Sequence, residues 1–220
     1  MNIQNFLLFI MELIGTIAFA ASGVMVGIRK NMDLFGVCVL GIVTAVGGGM
    51  VRDIVLCQTP SALLEPVYVE ASIVTALVIF GFLYFRTNKN ADRFHNSYDV
   101  ILLIMDSIGL GIFTAVGVMT GIHQGYPDNT FLLTFLGTVT GVGGGLMRDV
   151  MAGVPPYIFV KHIYACASVL GALSCIFLYR EAGELPAMIL SSILVFVIRL
   201  LAAKFHWNLP RIYTSDLVKK

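Results

Sequence analysis

The stretch VTAVGGGMVRDIV at residues 43–55 recurs 96 positions later as VTGVGGGLMRDVM at 139–151. The surroundings recur with it. ELIGTIAFAASGVMVGI at 12–28 returns as DSIGLGIFTAVGVMTGI at 106–122, and Tyr68, Ala71 and Ser72 match Tyr164, Ala167 and Ser168. A near-constant spacing over so long a stretch marks an internal duplication rather than shared hydrophobicity. Each copy carries three long apolar runs, at 6–28, 34–56 and 66–85 and again at 100–122, 131–151 and 157–179, with a seventh run at 185–203. A helix needs about 20 apolar residues to cross a bilayer. Three spans per copy is an odd number, so the second copy inserts upside down, the arrangement of transport folds with a site at the repeat interface. The expectation is an all-α membrane protein of seven transmembrane helices. It divides into a three-helix repeat over 1–85, a polar linker over 86–99, an inverted three-helix repeat over 100–180, and a seventh helix with its tail over 181–220.

Composition agrees. Apolar residues make up 58% of the 220 and charged residues 12%, against roughly 45–50% and 25% in soluble domains. Seven spans leave no room for a separate soluble domain. A formal net charge of +1 offers no basic footprint for nucleic acid. Cys38, Cys57, Cys166 and Cys175 lie in apolar runs without C-x-x-C spacing and read as small buried thiols rather than disulfides or metal ligands. Ala18-Phe19-Ala20 mimics a cleavage site, but no Lys or Arg precedes Arg29 and the apolar run continues to Ile28, so the segment reads as a retained first helix.

Lys and Arg set the orientation. One side gathers Arg29, Lys30, Arg86, Lys89, Arg93, Arg148, Lys161, Lys204, Arg211, Lys219 and Lys220; the other has Arg52 and Arg180. The positive-inside rule puts the N-terminus outside and the C-terminus in the cytoplasm.

Glycine dominates the candidate functional residues. Gly23/Gly27 and Gly117/Gly121 form G-x-x-x-G pairs in the first and fourth spans, as close helix packing requires. Gly47-Gly48-Gly49 and Gly143-Gly144-Gly145 ask for more, because three consecutive glycines point in three directions and each weakens a helix by about 0.8–1 kcal/mol relative to alanine. They predict a kink or break that frees carbonyls, tolerated at membrane depth only inside protein or beside water. Thr44 and Thr140 sit one turn before the last glycines. Each triplet is followed by Arg-Asp, Arg52-Asp53 and Arg148-Asp149. Neighbours on a helix do not face one another, so each arginine is expected to pair elsewhere, with Glu12 and Asp106 as matching acids in the first and fourth spans. The alternative is that both arginines snorkel to headgroups. Glu70 and Arg199 have no counterpart in the other copy. Lys161 and His162 read as interface anchors. No G-K-[ST] phosphate loop, nucleophile elbow, H-E-x-x-H or paired-cysteine metal site occurs, and an enzyme is not expected.

The repeated glycine-triplet-x-x-Arg-Asp, followed a few residues later by proline, resembles prokaryotic members of the trimeric intracellular cation channel family, as does AFAASGVMVGIRKNMDLFG at 18–36. The similarity extends from the first span to the seventh. Eukaryotic relatives carry Lys-Glu where this chain has Arg-Asp. The resemblance implies a homotrimer in the prokaryotic cell inner membrane, with one pore per protomer lined by the second and fifth spans. It implies permeation by potassium and less selectively sodium, no cofactor, and possible bound lipid. It would set the kinks at the two triplets with Arg52, Asp53, Arg148 and Asp149 near the path. Bacterial sequences of this type are also labelled glycine transporters, and a transporter would use the same inverted repeat. A structural scaffold would show neither flux nor sensitivity to the triplets.

Overall fold

The computed structural model describes residues 3–86, 91–160 and 163–207, and these are helical with no strand. The helices are α1 (Ile3–Arg29), α2 (Leu34–Val55), α3 (Ser61–Leu64), α4 (Val67–Arg86), α5 (Ala91–His123), α6 (Thr130–Met151), α7 (Tyr157–Val160), α8 (Tyr164–Ala182) and α9 (Glu184–Lys204). Seven of them, all but the one-turn α3 and α7, are long and apolar enough to cross a membrane. A helix satisfies its backbone polar groups within itself, which is what hydrocarbon demands.

The duplication is visible in the local chemistry. Asp33 caps α2 by accepting from the Gly36 amide at 2.7 Å, and Asn129 caps α6 by accepting from the Leu132 amide at 3.0 Å. Each is a short side chain meeting an orphan donor of a first turn. The packing repeats as well: α1 lies on α2 and α4 as α5 lies on α6 and α8. In the first pair, a Cβ on Gly23 would stand 2.7 Å from the Leu40 carbonyl oxygen; in the second, one on Gly117 would stand 2.6 Å from that of Leu136. The G-x-x-x-G pairs are therefore packing contacts, as their spacing suggests. The halves meet where α2 crosses α6. Phe19 and Phe113, equivalent positions on α1 and α5, stack on each other there at 5.4 Å. The seventh spanning helix, α9, breaks the symmetry by lying against α5 and α8.

Two boundaries differ from the apolar runs. The fourth spanning helix extends back to Ala91, because polar residues continue a helix freely once outside the apolar layer. The sixth run is split. Pro155-Pro156 ends the chain's extended entry, α7 makes one turn, and Ile163 in the left-handed region (φ 41) restarts the helix at Tyr164. Lys161 and His162 lie outside the described residues. Of the four thiols expected to be buried only Cys175 is; Cys38 and Cys166 are half-buried, and Cys57 is exposed because α2 ends before it.

Candidate functional site

The expected break at the glycine triplets is corrected by the structure: α2 runs unbroken through Gly47–Gly49 and α6 through Gly143–Gly145. Five of the six triplet glycines, all but Gly49, nevertheless have a close neighbour where a side chain would stand. A Cβ on Gly48 would overlap the Thr140 carbonyl oxygen, and one on Gly144 would overlap that of Thr44. These reciprocal contacts let the two helix backbones touch at the crossing. Gly47 leaves room for the Met147 sulfur (2.6 Å) and Gly143 for the Gly48 Cα (3.0 Å). The third glycines differ. Gly145 makes room for the Tyr164 hydroxyl (2.7 Å), whereas Gly49 faces only the end of Arg52 (3.7 Å). Thr44 and Thr140 are buried, and each donates its hydroxyl to its own helix, to Leu40 O and Leu136 O at 2.6 Å.

The arginines correct a second expectation. Arg52 Nε donates to Asp53 Oδ1 and Arg148 Nε to Asp149 Oδ1, both at 2.8 Å. Sequence neighbours pair because each aspartate sits in the last turn, turned toward the departing chain. Asp53 Oδ2 accepts from the Ser61 amide at 2.7 Å and Asp149 Oδ2 from the Tyr157 amide at 2.8 Å. Each carboxylate thus caps the one-turn helix that follows, after Pro60 or Pro156, and the long arginine stem folds back to reach it. All four side chains are buried, so neither arginine is a headgroup anchor.

Beyond that shared unit the halves diverge. Glu12, half-buried on α1, accepts a hydrogen bond from the Tyr68 hydroxyl and is not bonded to Arg52, whose Nη2 reaches Ser61 Oγ at 3.4 Å. A cavity of about 30 Å³ opens beside them, lined among others by Glu12, Thr16, Gly49, Arg52, Tyr68 and Phe113. That is room for about two waters. Asp106, one methylene shorter, does meet its arginine: Arg148 Nη1 donates to Asp106 Oδ1 at 2.6 Å and also to Ser22 Oγ. Arg148 stands over the Tyr157 ring at 5.3 Å. Arg199 of α9 completes the cluster, with Nη2 3.8 Å from Asp106 Oδ2 and the guanidinium 4.6 Å over the Tyr164 ring. Asp106, Arg148 and Arg199 are at most 1% exposed. Asp106 Oδ2, Arg148 Nη2 and the Tyr164 hydroxyl have no hydrogen-bond partner among the described residues. In the sequence Arg199 is an arginine inside a span without a counterpart, a signal of a buried partner, but nothing there names Asp106. Glu70 is exposed and joins neither pocket.

The family model described as Glycine transporter matches this chain twice, over residues 9–84 and 103–180, one match per repeat. Among curated relatives, a membrane protein of Deinococcus radiodurans is 35% identical over 203 residues, 91% of this chain and 89% of that one. The inner membrane protein YadS of Escherichia coli is 31% identical over 208 residues, 93% and 95% of the two chains. Among solved structures, a prokaryotic TRIC channel in 0.5 M KCl has a TM-score of 0.82 at 30% identity, covering 93% of this chain and all of that one (100%). The TRIC trimeric intracellular cation channel orthologue from Rhodobacter sphaeroides has a TM-score of 0.79 at 30% identity, covering 91% and 99%.

Proposed function

We propose that this chain, which belongs to the prokaryotic trimeric intracellular cation channel family, is itself a monovalent cation channel, permeable to potassium and to a lesser degree sodium. The observation that carries the reading is the pair of buried charged clusters, related by the internal repeat, at opposite ends of the α2–α6 crossing. A channel needs a hydrated route with weak, escapable sites. Here two polar ends are separated by a dry middle of stacked Phe19 and Phe113 and touching glycine backbones, which is a shut conformer. Opening requires α2 and α6 to part, and the glycines, with no side chains in the way, let them do so. The route would run through each protomer along α2 and α6, with Thr44, Thr140 and the triplets becoming its lining once those helices separate.

Three protomers would assemble into a homotrimer in the cell inner membrane. The asymmetry of α9 supports assembly: it packs on Gly111 of α5 and Gly171 of α8, whereas Ile17 of α1, the counterpart of Gly111, is exposed together with Ile14. A partner subunit or lipid tails would cover them. The Lys and Arg distribution supports a cytoplasmic C-terminus.

Glycine transport is the second reading, favoured by the description of the matched family model. Against it stand the similar solved structures, which are those of cation channels. Ion flux through purified protein in liposomes under a potassium gradient, with glycine uptake measured in parallel, tests both. The expected result is fast potassium flux independent of glycine. Saturable glycine uptake without potassium conductance would replace the channel with a carrier.

A further inference from the structure

We propose that the Arg199 guanidinium is a tethered cation, occupying in the second half the position that a permeant cation takes in the first, and thereby shutting that end of the path. The inference rests on the conduction reading for its consequence, though not for its geometry.

Corresponding residues define the position. In the first half the cavity lies against Glu12, Arg52 and Tyr68. Their counterparts are Asp106, Arg148 and Tyr164, and Arg199 lies between the first and last of these, 3.8 Å from the Asp106 carboxylate and 4.6 Å over the Tyr164 ring. Two further replacements help to close the space. Thr16 becomes Leu110, which is fully buried, and Ser61 becomes Tyr157, whose ring lies under Arg148.

Charge gives the position its chemistry. In the first half Asp53 is paired with Arg52, so Glu12, which lines the cavity, leaves one formal negative charge open to a mobile cation when it is ionised. In the second half Asp106 and Asp149 both bond to Arg148, and Arg199 beside Asp106 cancels the excess. A buried cluster that is neutral by virtue of one helix has no remaining attraction for a second cation, since like charges in a poorly screened interior repel strongly. The cluster is also incompletely bonded, at Asp106 Oδ2, Arg148 Nη2 and the Tyr164 hydroxyl. Unpaired buried polar groups gain by hydration, so withdrawing Arg199 favours water entry and restores the charge of the open pocket. The seventh helix is thus the element that makes a symmetric pair of mouths unequal.

Two readouts on the full-length reconstituted protein test this. Potassium efflux from liposomes is compared among wild type, Arg199→Lys, Arg199→Gln and Arg199→Met. Separately, Ser22→Cys, placed beside Arg148 in a background lacking Cys38, Cys57, Cys166 and Cys175, reports water access by its reaction with a small cationic methanethiosulfonate. Arg199→Gln and Arg199→Met should each raise efflux and labelling about tenfold or more, the shift expected when one state of a two-state balance loses a charged contact. Arg199→Lys should stay near wild type. Unchanged labelling in whichever neutral variant assembles would overturn the proposal and leave Arg199 a packing residue. Accelerated labelling with no potassium flux in any variant would uphold the tethered cation and sink the conduction reading instead.

Discussion

At one end of the bundle Glu12 reaches across to Tyr68 and leaves a cavity beside Arg52; at the other, Asp106 holds Arg148 and Arg199 in a cluster with almost no solvent contact. Both ends grow from the same glycine-triplet-x-x-Arg-Asp motif, and both aspartates cap a one-turn helix in the same way. What separates them is a handful of substitutions and one added helix. A longer acid lets the arginine go, a serine in place of a tyrosine leaves space, and only one half has an α9 to contribute a second guanidinium. Repeated motifs therefore prescribe the frame of each half, while the residues around the motif decide whether that frame is wet or sealed.

The largest expected break in this comparison is Arg148→Ala. It strands Asp106 and Asp149 at full burial, and losing one partner of a buried pair destabilises by about 3–5 kcal/mol. Arg52→Ala beside the cavity should lose clearly less, because water can reach Asp53. Thermal unfolding in detergent would show it, and equal losses would mean the halves are energetically alike.

Next come the third glycines. Gly145→Ala drives a methyl into the Tyr164 hydroxyl within a closed cluster and should destabilise by about 1–3 kcal/mol, as overpacking does. Gly49→Ala meets only the mobile end of Arg52 and should stabilise by up to about 1 kcal/mol through helix propensity. Gly48→Ala and Gly144→Ala serve as the symmetric control, both expected to loosen the α2–α6 crossing and change conductance alike. A tolerated Gly145→Ala would remove the claim that the second half is the tighter one.

The smallest contrast is between tyrosines. Tyr68→Phe removes the bond to Glu12 and should lose about 1 kcal/mol, whereas Tyr164→Phe removes a buried hydroxyl that has no partner among the described residues and should be neutral or slightly stabilising. Loss of stability in both would reveal a bridging group at Tyr164.

Much of the architecture is legible in the sequence. Apolar runs of spanning length, a near-constant repeat spacing and an odd number of spans per copy imply seven helices in an inverted duplication, because the bilayer admits so few alternatives. The polar pairing is only half legible. Glu12 and Asp106 are the right acids to single out, yet only Asp106 binds its arginine. The adjacent Arg-Asp bonds escape a sequence reading because helix-surface spacing does not describe a last turn whose aspartate is drawn toward a following helix. The triplets suggest a break for a similar reason. Propensity counts each glycine as a loss and takes no account of how closely two backbones can approach once three side chains are gone.

The sequence by itself determined the spans, the duplication and the identity of the charged residues, because these depend on length, period and composition along the chain. Tertiary structure alone decided that the triplets are a crossing point rather than a break, that Arg199 of α9 sits on Asp106 of α5, and that one of two equivalent pockets is filled. Such outcomes turn on which side chains converge in space and on differences as small as one methylene, which no one-dimensional pattern records.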